Sequence, residues 1–278
     1  MIILFFTLIL LIVSIAAGLL GSLTGLGGGV VLIPVLTLVF KVDIHYAIGT
    51  SLISVIATSS GSAAAYVKEG ISNIRLGMFL ELATTIGAVT GAFLATYIAT
   101  SIIAIIFGII LIFSALVSLL KHNDNVVEGE GSYLARKLKL NNNFPVDGRL
   151  QHYTVKNIIG GFFMMNIAGI ISGLLGIGSG ALKVIAMDNI MRVPFKVSTT
   201  TSNFMIGVTA AASAGIYLKR GYIDPGLTMP VVVGVLVGAF IGSRILFAVK
   251  VRSLKILFAI VILLLAVQMI YNGFAHKI

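Results

Sequence analysis

The sequence predicts an all-α integral membrane protein built from two homologous halves, and two observations support this prediction: the composition and an internal repeat. Of the 278 residues, 58% are hydrophobic and 10% are charged, whereas a soluble domain carries about 25% charged residues. A spanning helix needs about 20 apolar residues. Segments of about that length or longer that contain no Asp, Glu, Lys or Arg include 1–40, 46–67, 158–182, 197–218, 225–243 and 256–276.

The repeat appears when the sequence is shifted by 151 residues, which places Leu174 on Leu23. Glycines then recur in the same register, which indicates a duplication rather than a shared membrane composition. We therefore expect a first transmembrane repeat over 1–120 and a second over 157–278. The matching segments are LTGLGGG (23–29) with LLGIGSG (174–180), GTSL (49–52) with TTSN (200–203), SAAAYVKEG (62–70) with SAGIYLKRG (213–221), and GAVTG (87–91) with GAFIG (238–242).

The segment between the repeats, 121–156, is polar and contains Gly, Asn and one Pro, a composition typical of a loop. We expect it to be a cytoplasmic linker. A solvated connection is the interpretation that we favour. The alternative, over YLARKLKL (133–140), is a short basic helix that lies on the lipid headgroups.

Each half is expected to contain four long helices, with a glycine break and a short half-helix after the first of them. At 1.5 Å per residue the short helices cannot cross a bilayer alone. If each break and short helix together cross, each half has five passes and the halves are inverted. If they are re-entrant, each half has four passes and the halves are parallel. The loop charges favour inversion, because it places more Lys and Arg on the cytoplasmic side. The predicted helices lie near 2–22, 30–40, 45–67, 75–98 and 101–120, then near 158–174, 181–191, 196–218, 226–248 and 254–272.

The net charge of +10 does not indicate nucleic-acid binding, because the basic residues lie in short loops, where the positive-inside rule places them. The absence of Cys excludes disulfides, thiolate metal sites and a Cys nucleophile. The four His residues lie in loops or termini without metal-ligand spacing, so we expect no metal site and no cofactor. Without intramembrane His or paired carboxylates, we also expect that the protein is not an enzyme.

The glycine breaks are the first candidate binding site. Glycine inside a helix costs about 1 kcal/mol relative to Ala, so a break is expected only where it is buried in protein or lines a watery cavity. The short helix after it begins with unpaired N–H groups that can bind an anion. Matching breaks in two repeats are typical of a transporter's midplane site. The candidate substrate-binding residues are Gly25, Gly27, Gly28, Gly29, Gly176, Gly178, Ser179 and Gly180. The glycines expected to permit close helix packing instead are Gly18, Gly87, Gly91, Gly238 and Gly242.

Charged residues inside the predicted helices add further candidates. Lys183 follows the second break by three residues, and its counterpart Leu32 is neutral. A Lys within the membrane marks function unless it snorkels to the interface. Asp188 is a candidate coupling residue that either pairs with Lys183 or lies at the interface. Glu81 is a candidate proton carrier, because a desolvated carboxyl group gains a proton more readily; the alternative is an interfacial pair with Arg75.

Hydroxyl and amide side chains lie at the beginning of the helix that follows each short helix. They can form hydrogen bonds with the oxygens of an anion, and they also serve as helix caps and as links between helices. The candidates for substrate binding are Thr50, Ser51, Thr201, Ser202 and Asn203.

The paired breaks GLGGG and GIGSG, the helix starts GTS and TTSNFMIG, and the plan of eight to ten segments resemble the TauE/SafE sulfite exporter family, also called the sulfonate uptake permease family. The resemblance covers nearly the whole chain outside 121–156. It implies a protein of the cytoplasmic membrane that moves sulfite, sulfonates or related sulfur anions. Two departures, Ser179 for the middle glycine and Ile185 opposite Pro34, predict that the second break is less open than the first.

From these observations we expect a multi-pass secondary transporter that exports a small sulfur-containing anion, sulfite or an organosulfonate, by alternating access. No ATP-binding motif is visible, so gradients or the membrane potential must drive transport. The alternatives are a passive anion channel and an uptake permease for another sulfur or carboxylate anion. The expected partners are the small anionic substrate, the lipid bilayer and, as a candidate assembly, a second copy of the chain in a homodimer, but not nucleic acid.

Overall fold

The structure is a computed structural model, and it describes residues 2–24, 28–68, 70–119, 132–146, 149–245 and 251–275. The predicted helical architecture is confirmed, with four long helices and a short one in each half. The first half contains α1 (Ile2–Thr24), α2 (Gly29–Leu38), α3 (Ile44–Lys68), α4 (Ile74–Ala95) and α5 (Thr100–Leu119). Between the halves lie α6 (Tyr133–Lys137), β1 (Asn142–Val146) and β2 (Arg149–Tyr153). The second half contains α7 (Ile158–Leu175), α8 (Gly180–Ile185), a π-helical turn (Ala186–Ile190), α9 (Phe195–Lys219), α10 (Pro225–Ile245) and α11 (Val251–Phe274).

The short helix after each break returns the chain to the end of the molecule where the preceding long helix began. In the first half, the rings of Phe6, near the start of α1, and Phe40, just after α2, lie 5.5 Å apart. In the second half, the N–H of Lys156, just before α7, donates to the carbonyl of Met191, just after the π-helical turn, at 2.9 Å. In each half the first long helix and the short segment after it therefore run in opposite directions.

The helices of the two halves interleave instead of forming two separate bundles. α1 packs along α10 and α7 packs along α4, while α3 packs on α9 and α5 on α11. α5 and α11 run antiparallel, because Ser101 at the start of α5 lies against Gly273 at the end of α11. Further along α5, Gly108 lies against Ala266, which precedes Gly273. These two equivalent helices therefore have opposite directions.

Isolated glycines let the backbones of the interleaved helices meet. A Cβ on Gly18 of α1 would overlap the carbonyl oxygen of Val235 in α10. A Cβ on Gly169 of α7, the counterpart of Gly18, would overlap the carbonyl oxygen of Thr84 in α4. Small residues at such crossings allow close helix packing in membranes. The predicted close packing is confirmed for Gly18, Gly87, Gly91 and Gly238.

In the segment between the halves, the described residues 132–146 and 149–156 form a small module and not the solvated connection that we favoured. β1 and β2 pair as an antiparallel hairpin. Ala135 of α6 and Tyr153 of β2 are buried, and they share a core with α4 and the π-helical turn. Asn73, the N-cap of α4, holds the module, because its Nδ2 donates to the carbonyl of Leu140 and to Oη of Tyr153, both at 2.8 Å. Burial raises the pKa of Tyr153, so this phenol keeps its proton.

Apolar side chains cover the outside of the helices, as expected for a protein that is surrounded by lipid. α4 exposes Met78, Leu82 and Ile86 on its outer face. Three described helical stretches are long and apolar enough to cross a membrane: Ile74–Ala95, Ile158–Leu175 and Pro225–Gly242. Shorter apolar stretches are Phe5–Gly21, Gly29–Leu38, Thr100–Leu116 and Ala259–Phe274.

Candidate functional site

The start of α2 and the second glycine break are neighbours inside the protein. Gly29 begins α2, whereas Gly25 and Gly27 lie outside the described residues. The Oγ of Ser51 in α3 donates to the carbonyl of Gly176 at 2.9 Å, and a Cβ on Gly29 would overlap this Oγ. Gly29 of the first break and Gly176 of the second therefore lie in one region of the protein.

The second break is built from left-handed backbone. Gly176, Gly178 and Ser179 have φ angles of +66°, +72° and +45°, which glycine adopts freely and which other residues adopt only at a cost. The Oγ of Ser179 donates to the carbonyl of Ala168 in α7 at 2.6 Å, and this bond helps to hold the turn. The first break differs, because Gly28, the counterpart of Ser179, has a right-handed helical conformation.

A small cavity lies beside the second break. A cavity of about 10 Å³ separates Ser179 and Gly180 from α2 and α5, which is room for about one water molecule. A wider groove of about 370 Å³ lies between α3 and α9, beside Ser59, Ser60 and Gly207. The larger of these two spaces therefore lies beside α3 and α9, away from Ser179 and Gly180.

Lys183 of α8 is fully buried, with 0% of its surface exposed, so it does not snorkel to the interface. Its Nζ donates a 2.5 Å hydrogen bond to Oγ1 of Thr209 in α9. This Oγ1 in turn donates to Oε1 of Glu81 in α4, at 2.6 Å. We call Lys183, Thr209 and Glu81 the polar triad. It links a cation to a carboxylate and draws on three helices from both halves.

Glu81 is 8% exposed and belongs to this triad. The alternative pair with Arg75 does not form, because the exposed Arg75 side chain donates to the carbonyl of Lys139. Thr85 also donates to Oε1 of Glu81, at 3.3 Å, whereas Oε2 has no hydrogen-bond partner among the described residues. A buried polar atom without a partner is unfavourable for folding, which makes Glu81 a candidate for a functional role.

The pair Lys183 and Glu81 has no charged counterpart at the positions that the repeat makes equivalent. At the equivalent position in the other half, the hydroxyl of Thr58 donates to backbone carbonyls of its own helix. The charged partners are replaced by aliphatic side chains there. The 151-residue shift places Leu32 on Lys183, Thr58 on Thr209, and Val232 on Glu81.

The other predicted side chains make contacts within the protein, so their role toward a substrate stays a prediction. The hydroxyls after the breaks act as links between segments in this conformation. Asn203 and Asp188 are half-buried, in α9 and in the π-helical turn. The hydrogen bonds are Thr50 with Thr228 at 3.2 Å, the Asn73 N–H to Thr201 at 3.0 Å, and Ser202 to the Gly180 carbonyl at 3.3 Å.

Thr209 is the member of the triad that the sequence interpretation missed. It is one of several hydroxyl residues in α9, and composition alone does not single it out. The available signal was its recurrence as Thr58 in the same register of the repeat. Glu81 and Lys183 were both candidates, but their connection depends on how α4 and α8 pack around α9.

Comparisons with known proteins agree with the fold. The family described as "Sulfite exporter TauE/SafE" matches residues 10–269. The probable membrane transporter protein YunE of Bacillus subtilis (strain 168) is 28% identical over 95% of this chain and 97% of its own length. YdhB of the same organism, also a probable membrane transporter protein, is 27% identical over 85% of this chain and 89% of its own length.

A more distant relative, the probable membrane transporter protein MJ0441 of Methanocaldococcus jannaschii, is 23% identical over 90% of each chain. No solved structure matches the chain. The family match spans nearly all of the residues that form the two halves. The chain is thus a multi-pass membrane protein that belongs to the TauE/SafE sulfite exporter family of membrane transporters.

Proposed function

We propose that the protein is a secondary transporter that moves a small sulfur-containing anion, sulfite or an organosulfonate, across the cytoplasmic membrane by alternating access. The observation that carries this proposal is Lys183, a fully buried cation in the short helix after the second glycine break. Ionisable residues within a membrane bundle mark substrate and ion pathways. The description of the family as a sulfite exporter supports a sulfur oxyanion as the substrate.

The hydrogen-bonding capacity of Lys183 supports an anion as its ligand. A Lys ammonium group carries three N–H donors, and the one hydrogen bond that it makes to a described residue goes to Thr209. Two donors are therefore available for the oxygens of an oxyanion. We assign the glycines of both breaks to the same site, because Ser51 joins Gly29 to Gly176.

The proposal includes an inverted repeat. The antiparallel packing of the equivalent helices α5 and α11 supports it, as does the odd number of segments in each half. The polar triad lies between the halves, because Glu81 belongs to the first and Lys183 to the second. Relative movement of the helices that meet at the triad would open such a site first to one side and then to the other.

The direction that we propose is export. No ATP-binding motif is visible in the sequence, so existing gradients must drive the movement. An interior-negative potential favours the exit of an anion by about 2.3 kcal/mol per charge per 100 mV. The passive channel remains the alternative to be tested.

Counterflow in proteoliposomes tests this function. Vesicles are loaded in parallel with sulfite, sulfate, thiosulfate, taurine or sulfoacetate, and the uptake of labelled sulfite is measured. We expect loading with the true substrate to accelerate uptake, and Lys183→Met to abolish the effect, while Lys219→Met, at an exposed cation of α9, leaves it intact. A flux that is not stimulated by substrate on the opposite side would indicate a channel, and full counterflow in Lys183→Met would exclude Lys183 from the site.

A further inference from the structure

We propose that the binding of an anion at Lys183 is coupled to the uptake of one proton by Glu81, so that the anion and a proton are carried together. This inference rests on the proposed function, because it assigns the coupling ion of the same site. It is carried by two observations. The polar triad connects Lys183 to Glu81 through one hydroxyl, and Oε2 of Glu81 has no partner.

Lys183 is the cation that balances the charge of Glu81. α4 packs against α7 and α9. α7 carries no titratable side chain, and the titratable residues of α9 lie near its two ends. On α4, Arg75 is exposed and directed to a carbonyl of the linker module. Other titratable groups on the elements around Glu81 and in the module include Tyr133, Arg136, Lys137, Lys139, His152, Tyr153, Asp188, Lys196, Tyr217 and Lys219.

The hydroxyl of Thr209 allows the two charges to separate. It has one hydrogen and two acceptors within reach, Oε1 of Glu81 at 2.6 Å and the carbonyl of Met205 at 2.9 Å. Thr209 can therefore donate its hydrogen bond to the carbonyl of Met205 in its own helix once Glu81 is no longer charged. A proton added to Oε2 of Glu81 breaks none of the existing hydrogen bonds, because that oxygen has none.

Anion binding changes the charge balance of the triad. An oxyanion that accepts hydrogen bonds from the remaining N–H groups of Lys183 also neutralises the positive charge that had balanced Glu81. The carboxylate then lies in the protein interior without a counter-charge, which is strongly unfavourable. A proton from the water on the open side removes the charge, and the only bond formed is the O–H bond of Glu81. Release of the anion reverses both steps.

The coupling determines what drives transport. A monoanion that moves with one proton carries no net charge, so the membrane potential no longer acts on it. The direction then follows the combined gradients of anion and proton. A cell that has accumulated the anion exports it, and an acidic exterior opposes this export.

Calorimetry of binding to the purified full chain tests the coupling. Thiosulfate and sulfoacetate are suitable probes, because neither changes its protonation near neutral pH. The titrations are repeated at one pH in Tris, imidazole and triethanolamine; sulfonate buffers are avoided because they resemble the substrate. The observed enthalpy plotted against the ionisation enthalpy of the buffer gives the number of protons taken up. We expect about one per bound anion.

Two variants separate the outcomes. Glu81→Gln should still bind the anion but take up no proton, whereas Arg75→Gln, an exposed cation on the same helix, should behave as the parent. Binding without proton uptake in the parent, or unchanged uptake in Glu81→Gln, overturns the coupling and leaves the proposed function standing. No binding of either probe, or of sulfite, by the parent overturns the proposed function itself. If Glu81→Gln does not fold, the proton count of the parent still decides.

Discussion

The charges of Lys183 and Glu81 are separated by a single hydroxyl, and both side chains are withdrawn from water. Removing one member of such a pair leaves the other as an isolated buried charge, whereas removing both leaves none. The stability of the protein therefore depends on the interaction between Lys183 and Glu81, the residues to which we assign the substrate and the proton. Variants at these two positions measure it without any ligand.

We expect Lys183→Met to lower the free energy of unfolding by about 3–5 kcal/mol, the usual effect of breaking a buried pair. The double variant Lys183→Met with Glu81→Gln should lose clearly less than the sum of the single variants, because no charge is left behind. Thermal unfolding of the purified variants measures all four states of the cycle. Additive losses would mean that Thr209 does not couple the two charges.

Gly178 has a φ angle of +72°, and a Cβ there would lie 2.7 Å from Cγ2 of Ile206. We expect Gly178→Ala to reduce substrate affinity and to cost about 1–2 kcal/mol of stability, the penalty for a left-handed residue with a side chain.

Gly215 provides the matched control, because a Cβ there has no neighbour within 4 Å and Ala favours a helix over Gly by about 1 kcal/mol. Substrate binding and thermal unfolding, measured on both variants, check the prediction. Equal effects of the two substitutions would show that the left-handed turn is not required.

At the scale of elements, the hairpin module is attached to the membrane part through the first turn of α4. Both polar atoms of the Asn73 side chain form hydrogen bonds there. Oδ1 accepts from the N–H of Leu76 at 3.0 Å, and Nδ2 donates to Leu140 and Tyr153 of the module. The N-cap of one helix thus also anchors the segment that joins the two halves.

The substitution Asn73→Asp keeps the cap and removes both donors. We expect it to loosen the module, with a loss of about 1–3 kcal/mol for buried acceptors left without partners. Limited proteolysis within 132–156 should become faster, and α4 should remain intact. Asn143→Asp, at an exposed position of β1, is the control and should be cleaved as the parent is. An unchanged cleavage rate in Asn73→Asp would place the attachment elsewhere.

The hairpin was missed in the sequence interpretation although a local signal was present. Asp147 and Gly148 separate β1 from β2, and a two-residue Asp-Gly connection between strand-forming residues is a strong indication of a hairpin. Because 121–156 is polar overall, we interpreted it as a loop and did not use this signal. The burial of Tyr153 was beyond the sequence, because it depends on α4 and the π-helical turn, which are far away in the chain.

At the scale of the whole molecule, the sequence revealed the internal duplication but not the interleaved packing of the helices. Glycines in the same register revealed the two repeats, since a linear comparison detects them directly. Which helix each glycine faces depends on tertiary packing, and Gly18 meets Val235 of the other half. For the same reason the sequence identified Lys183 and Glu81 separately but could not place Thr209 between them.

The inverted repeat that we propose predicts that equivalent loops lie on opposite sides of the membrane. Arg75, at the start of α4, and Lys219, at the end of α9, are both exposed. The chain contains no Cys, so Arg75→Cys and Lys219→Cys each introduce a single labelling site. In intact cells an impermeant maleimide should label Lys219→Cys, and it should label Arg75→Cys only after permeabilisation. Labelling of both sites from outside would rule out the inverted arrangement.

The pairing of α1 with α10 also determines the order in which the molecule can be completed during its synthesis. Gly18 and Val235, which meet in the finished protein, are separated by 217 positions (235 minus 18), so the ribosome makes nearly the whole chain before α1 can find its partner. α4 can dock once α7 exists, α3 once α9 exists, α1 only after α10, and α5 last of all with α11. The pairs α4 with α7, α3 with α9 and α1 with α10 are thus completed from the middle of the sequence outward, while α5 waits for α11. The first helix is therefore without its partner through most of translation.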